Sequence, residues 1–204
     1  CSAVVSFLLF LLLLGWTNHL ANTQDAQQMA GRWSEKKDVA QISCFFSSKA
    51  EVTEDTIQSF EYSLKNVLQE ASITETSENP SARLWVDAYS ADGKITLVNG
   101  KNTLDANAIG IGGDFFMFHP LKLITGAYFS GNDLMQDYCI IDQDAAWQLF
   151  GSNDVVGMTV YIGNVPHIVT GVVQRPDSRM DKAAGLNSTV VYVSCLLYTS
   201  PSPR

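Results

Sequence analysis

Three histidines, four cysteines and a loose run of aspartates are the residues of this 204-residue chain whose chemistry could go beyond packing. His19 flanks an apolar run, His119 precedes Pro120, and His167 follows Pro166 at an expected hairpin turn. No two of them stand at a metal-ligand spacing, and none adjoins a Ser or Cys that it could activate as a nucleophile. Asp133, Asp137, Asp142 and Asp144 lack the Asp-x-Asp-x-Asp-Gly register of a calcium loop and suit helix caps and turns. No carboxylate pair carries the signature of a general acid and base. The expectation is therefore no catalytic, cofactor-binding or metal-ligating residues, and no cofactor.

The segment GIGGDFF, residues 110–116, invites a nucleotide-binding reading, but it has neither the Gly-x-Gly-x-x-Gly of a dinucleotide fold nor the terminal Lys-Ser/Thr of a phosphate loop. Its glycines suit a sharp strand exit. Cys44 and Cys139, in QISCFF and DYCIID, are either one disulfide of an exported domain or two buried thiols. With 13 basic against 21 acidic residues the net charge is −8, which repels polyphosphate, so nucleic acid is excluded as a partner. Apolar residues at 46% and charged residues at 17% are the balance of a folded chain.

The elements that would position these groups begin with lipid. From Ala3 to Trp16 every residue is apolar or small except Ser6. A spanning helix needs about 20 apolar residues and a signal-peptide core about 7 to 15, so both readings fit. The chain opens on Cys1, and HLANT offers a poor cleavage site, which favours an uncleaved anchor at 1–21 whose start is truncated. Residues 22–38 read as a polar linker, and 39–194 as one domain. The last stretch, CLLYTSPSPR at 195–204, resembles translated adaptor read-through and is set aside as a non-native tail.

Within the domain, VAQISCFF at 39–46 reads as a strand from its β-branched and aromatic content. Thr53 caps an amphipathic helix over 54–71, with Ile57, Phe60, Leu64, Val67, Leu68 and Ala71 at spacings of three and four. RLWVDAYS alternates as a strand, Asp92-Gly93 signals a hairpin turn, and NGKN a second turn into TLDANAIGIGG. A β-α-β-β start follows. Further on come a CIID strand, a short helix ending at Gly151, a hairpin turned by Gly163-Asn164, a Pro-Asp loop at 176–188 and a TVVYV strand. The fold class is α+β: an N-terminal transmembrane helix, then an extracytoplasmic domain with a helix-backed, mainly antiparallel β-sheet.

The order of motifs over residues 105–173 resembles the MacB-like periplasmic core domain of ABC transporter permeases of the MacB/FtsX type. The resemblance is carried by Gly113-Asp114-Phe115-Phe116, Pro120-Leu121 with Gly126 and Tyr128-Phe129, and Ile141-Asp142. It continues through Leu149-Phe150-Gly151, Val156-Gly157 with Val160 and Ile162, and Val169 with Gly171-Val172. It implies an N-terminal fragment of a permease subunit in the cell membrane, with one span and its domain on the extracytoplasmic side. It also implies that a separate cytoplasmic ABC ATPase subunit hydrolyses ATP, that a second permease subunit completes a dimer, and that the lipid bilayer is the third partner. The alternative is a singly anchored or secreted non-catalytic binding domain, and a third class is an exported hydrolase using His119 or His167.

Overall fold

The computed structural model describes residues 2–23, 29–34, 39–50, 52–74, 83–130, 135–175 and 188–195. Packing divides the chain into two compact units, Cys1–Phe45 with Met117–His119, and Phe46–Phe116 with Pro120–Arg204.

In the first unit, α1 (Ser2–Thr23) is a single helix of 22 residues. At about 1.5 Å per residue it measures about 33 Å, close to the thickness of a bilayer's hydrocarbon core. Its window Ala3–Leu20 is long and apolar enough to cross a membrane. From Ala3 to Trp16 the helix is apolar all round apart from Ser6, the pattern that a helix solvated by lipid would need. A short helix α2 (Met29–Trp33) follows, and Arg32 Nη1 donates to the carbonyl oxygen of Phe118. Residues 39–46, expected as a strand, have no regular structure, with Ile42 88% and Phe45 95% exposed. Strand propensity is fit to a pairing partner, and this segment has none among the described residues.

The second unit is built on one seven-stranded sheet. Its strands are β1 (Ala88–Asn99), β2 (Asn102–Gly113), β3 (Lys122–Gly126), β4 (Tyr138–Asp142), β5 (Thr159–Ile162), β6 (Val165–Gln174) and β7 (Val190–Ser194). The order is β3-β6-β4-β7-β2-β1-β5, and β5 returns to pair with β6, so six strands close a ring. Long β6 makes this possible: residues 165–168 pair with β5 and residues 171–174 with β3. The join between β1 and β5 is two residues long, Leu97↔Ile162 and Val98↔Tyr161. Only β2–β7 and β4–β6 are parallel, which agrees with the mainly antiparallel sheet expected.

Two apolar clusters lie on opposite faces of the central strands. Cys139, Ile141, Val191 and Val193 point into one, with Leu97, Val160, Val169 and Val172. Ile140 and Tyr192 point into the other, with Ile111, Phe115, Phe116 and Phe129. A strand buried on both faces loses alternation and reads as an apolar run, which is what CIID and TVVYV show. Helix α5 (Gln143–Phe150) closes the first cluster with Ala145, Ala146 and Leu149. Gly151 caps it in the left-handed conformation, as expected.

Three expectations are corrected. Asp92-Gly93 makes no turn: β1 runs straight through it, because twelve consecutive pairs with β2 outweigh a local turn preference. The expected strand over 83–90 starts only at Ala88, so the three-strand meander is one long hairpin turned at Gly100-Lys101. Nor does a β-α-β-β start form, since no strand precedes the first domain helix among the described residues. That helix, α3 (Glu54–Glu70), is present, and Thr53 Oγ1 accepts from the Thr56 amide at 3.3 Å. Yet α3 buries no residue, and Phe60 and Val67 are exposed, so it is α5 that backs the sheet. The Asp133 position and most of the Pro-Asp loop, the linker's residues 24–28 and 35–38, and residues 196–204 lie outside the described residues.

Candidate functional site

His19 belongs to α1, His119 follows the short helix α4 (Phe115–Phe118), and His167 is a strand residue of β6. His167 is buried at 2% exposure, with Nδ1 3.0 Å from the Val165 carbonyl oxygen. Burial lowers its pKa, against the hydrogen bond to Val165 and the charge of Asp137, which raise it. It is thus a neutral interior ring satisfied by its own strand and not the turn residue expected. Among the described residues no group of three or more His, Cys, Asp or Glu could hold a metal ion. Cys44 is an exposed free thiol, and Cys139 and Cys195 are buried free thiols. GIGGDFF ends β2 at Gly113, where φ is +61° and the chain leaves the sheet.

The acidic stretch resolves into separate jobs. The Asp137 carbonyl accepts from the Ile168 amide at 2.7 Å. Asp142 is 1% exposed and gathers three elements. Its Oδ1 accepts from the Ala145 amide at 2.8 Å, capping α5. Its Oδ2 accepts from Arg175 Nε at 3.0 Å and Nη2 at 2.5 Å, and from the Val190 amide at 3.0 Å. Arg175 reaches on to Asp144 at 3.0 Å and Thr189 Oγ1 at 3.3 Å. The start of α5, the end of β6 and the start of β7 therefore meet at one buried carboxylate. Sequence reading found the cap and missed the hub, since Arg175 lies 33 residues away.

A second polar cluster joins α3 to the sheet's entry. Glu61 of α3 and Asp87 at the sheet's entry are neighbours that act on each other electrostatically. Burial raises the pKa of both. Next to them Arg83 Nη1 donates to Asp114 Oδ2 at 2.7 Å. An open depression of about 380 Å³ lies over β1 and β2, lined by Thr96, Asp105, Asn107, Ser188 and neighbours. Its polar groups satisfy one another: Thr96 Oγ1 donates to Asp105 at 2.7 Å, and Asn107 Nδ2 to Ser188 Oγ at 2.6 Å. A ligand site needs convergent polar groups still open to a guest. What this arrangement does is lock strand ends and a helix end together, giving a stiff body attached to an apolar helix in sequence.

Residues 5–202 match the family described as the MacB-like periplasmic core domain. The macrolide export ATP-binding/permease protein MacB of Pasteurella multocida is 31% identical over 81 residues, 39% of this chain and 12% of the relative. The protein of the same name from Chromobacterium violaceum is 36% identical over 76 residues, 36% of this chain and 12% of the relative. This chain thus aligns with only about an eighth of those proteins' length. Among solved structures, the extracellular domain of the noncanonic ABC-type transporter YknZ from Gram-positive bacteria is 25% identical. It covers 55% of this chain and 56% of its own, with a TM-score of 0.45. The periplasmic region of MacB from Actinobacillus actinomycetemcomitans is 24% identical, covering 59% and 54%, also with a TM-score of 0.45.

Proposed function

Because this chain belongs to the MacB-like periplasmic core domain family, we propose that it is the extracytoplasmic part of an ABC transporter permease subunit. In this reading α1 is the span and the sheet unit stands outside the membrane. ATP hydrolysis takes place in a separate cytoplasmic ATPase subunit, two permease subunits pair, and the domain passes the resulting movement to export or mechanical work. The domain needs no chemistry of its own for that role. It needs stiffness, because only a body that resists deformation carries displacement from one end to the other. The Asp142 hub and the closed ring of strands supply it.

The observation that carries the reading is the match over residues 5–202, which takes in most of the apolar helix and the whole sheet. The named relatives combine ATP binding and permease in one protein, so the test examines the native locus in both directions. Genomic sequence continuing from residue 194 is expected to encode three further hydrophobic segments, with an ATPase gene alongside. A stop codon shortly after residue 194 overturns the proposal in favour of a singly anchored or secreted binding domain. An ATPase fused in the same frame overturns only the separate-subunit part.

A further inference from the structure

The outer edge of β1 is covered for only part of its length. β5 pairs with Leu97 and Val98, and among the described residues no strand lies beside residues 88–96 on that side. β1 and β2 keep an unbroken register that ends at Asn99↔Asn102, the pair flanking the turn Gly100-Lys101. In a two-residue hairpin that flanking pair is hydrogen-bonded, and bonding alternates from there, so Leu97, Ile95, Gly93 and Ala91 bond to β2. The backbone amides and carbonyls of Ser90, Asp92, Lys94 and Thr96 therefore point away from β2, toward the open side.

Such edges are ordinarily blunted by proline, a bulge or charge. This stretch has neither proline nor bulge, and its only charges are Asp92 and Lys94, exposed on either side of Gly93. The triplet is self-complementary. When two copies of the edge run antiparallel about a two-fold axis at Gly93, Asp92 stands opposite Lys94 of the second copy, and Lys94 opposite its Asp92. Moving the axis by one residue either way sets Asp92 against Asp92 or Lys94 against Lys94, and like charges directly opposite are destabilising. The charges thus select one register. A glycine inside a strand weakens it and often marks the close approach of another backbone, and here it lies on the axis.

We propose that the open edge of β1 is a pairing surface for a second copy of this chain, antiparallel and centred on Gly93, with Asp92 and Lys94 paired across the join. The inference deepens the two-subunit part of the transport reading and rests on it for the presence of the second copy. The join is isologous, so it closes at two chains. It is also short, because β5 takes over the edge at Leu97. Two chains held in one bilayer by α1 meet at a high effective concentration, which lets a short join suffice.

Cross-linking of the full chain in lipid vesicles tests this, with Cys1 and Cys44 replaced by Ser and copper phenanthroline in air as oxidant. At the axis the two residues 93 form a non-hydrogen-bonded pair with Cα atoms about 4.5 Å apart, within the reach of a disulfide. Gly93→Cys is expected to give a covalent dimer. Ser90→Cys, whose two copies lie about 20 Å apart along the join, is expected not to. Added to Gly93→Cys, Asp92→Lys alone or Lys94→Asp alone is expected to slow linking by about tenfold. The two charge variants mixed in one vesicle are expected to link to each other at close to the original rate, which separates lost pairing from lost folding. Gly93→Cys linking no faster than Ser90→Cys, or a mixture linking no faster than its parts, overturns the inference. Chains counted by single-molecule photobleaching in the same vesicles separate it from the wider reading. Pairs whose Gly93→Cys residues stay unlinked overturn this surface and leave the two-subunit arrangement standing, whereas single chains overturn both.

Discussion

Arg175 delivers two donors, Nε at 3.0 Å and Nη2 at 2.5 Å, to a single oxygen of Asp142, the same oxygen that takes the Val190 amide. The carboxylate is nearly sealed, with 2% of its side chain exposed against 20% for the arginine. Breaking a buried pair by removing one partner costs up to about 3–5 kcal/mol, and Asp142→Ala still leaves Arg175 the mostly exposed Asp144. Asp142→Ala also removes the cap of α5, a loss of about 1 kcal/mol when taken alone. The expected outcome is a large drop in the urea midpoint of the full chain in detergent. Asp142→Asn, which keeps an acceptor for the cap, is expected to fall between the two. A midpoint unchanged in Asp142→Ala means the hub carries no load.

The turn between β5 and β6 places both central residues in the left-handed region, Gly163 at φ +55° and Asn164 at φ +70°. This is the turn whose twist matches a two-residue hairpin. Asn164→Gly is expected to be nearly neutral, whereas Asn164→Ala is expected to cost about 1 kcal/mol. Gly163→Val puts a β-branched residue where only glycine is comfortable, so it is expected to cost more than Asn164→Ala. Thermal unfolding of the three variants orders them, and equal midpoints would contradict the turn geometry.

This turn was legible in the sequence because its determinant is two adjacent residues. The Thr53 cap, the Gly151 stop and the apolar runs of β4 and β7 were legible for the same reason: each is set within about one turn or one strand. Asp92-Gly93 carries an equally strong local signal, yet it lies inside β1, where pairing with Ile109 and Ala108 of β2 decides the backbone. The partner that overrules the signal lies about fifteen residues on, so no local window contains it. The candidate site suffers most from this. Asp142 looked like a helix cap and is one, but its pairing with Arg175 exists only once β4 and β6 lie side by side.

The three described cysteines differ in access. Cys44 is exposed, whereas Cys139 is fully buried, and burial pushes its thiol up to about 12. Burial also raises Cys195, with the charge of Glu54 adding to it. The thiolate is the reactive form, so burial and raised pKa act in the same direction. Brief treatment with a maleimide at neutral pH is expected to modify Cys44 well before Cys139 and Cys195, as mapped by peptide mass. In urea Cys139 and Cys195 become reactive. Early modification of Cys139 in the native chain would contradict the packing of the first cluster.

His167 sets a pH dependence of stability. Burial lowers its pKa below the ordinary histidine value of about 6.5, and Val165 and Asp137 offset only part of this. The folded chain therefore holds the ring neutral where the unfolded chain protonates it. The stability it contributes is complete above about pH 6.5 and is lost as pH falls from there through the lowered folded value. The slope for one proton is at most about 1.4 kcal/mol per pH unit. His167→Gln is expected to lower stability at pH about 7.5 but to flatten its fall below pH 6.5, as read by urea unfolding of the full chain at a series of pH values. If the wild type and the variant lose stability in parallel below pH 6.5, His167 is not the group that titrates.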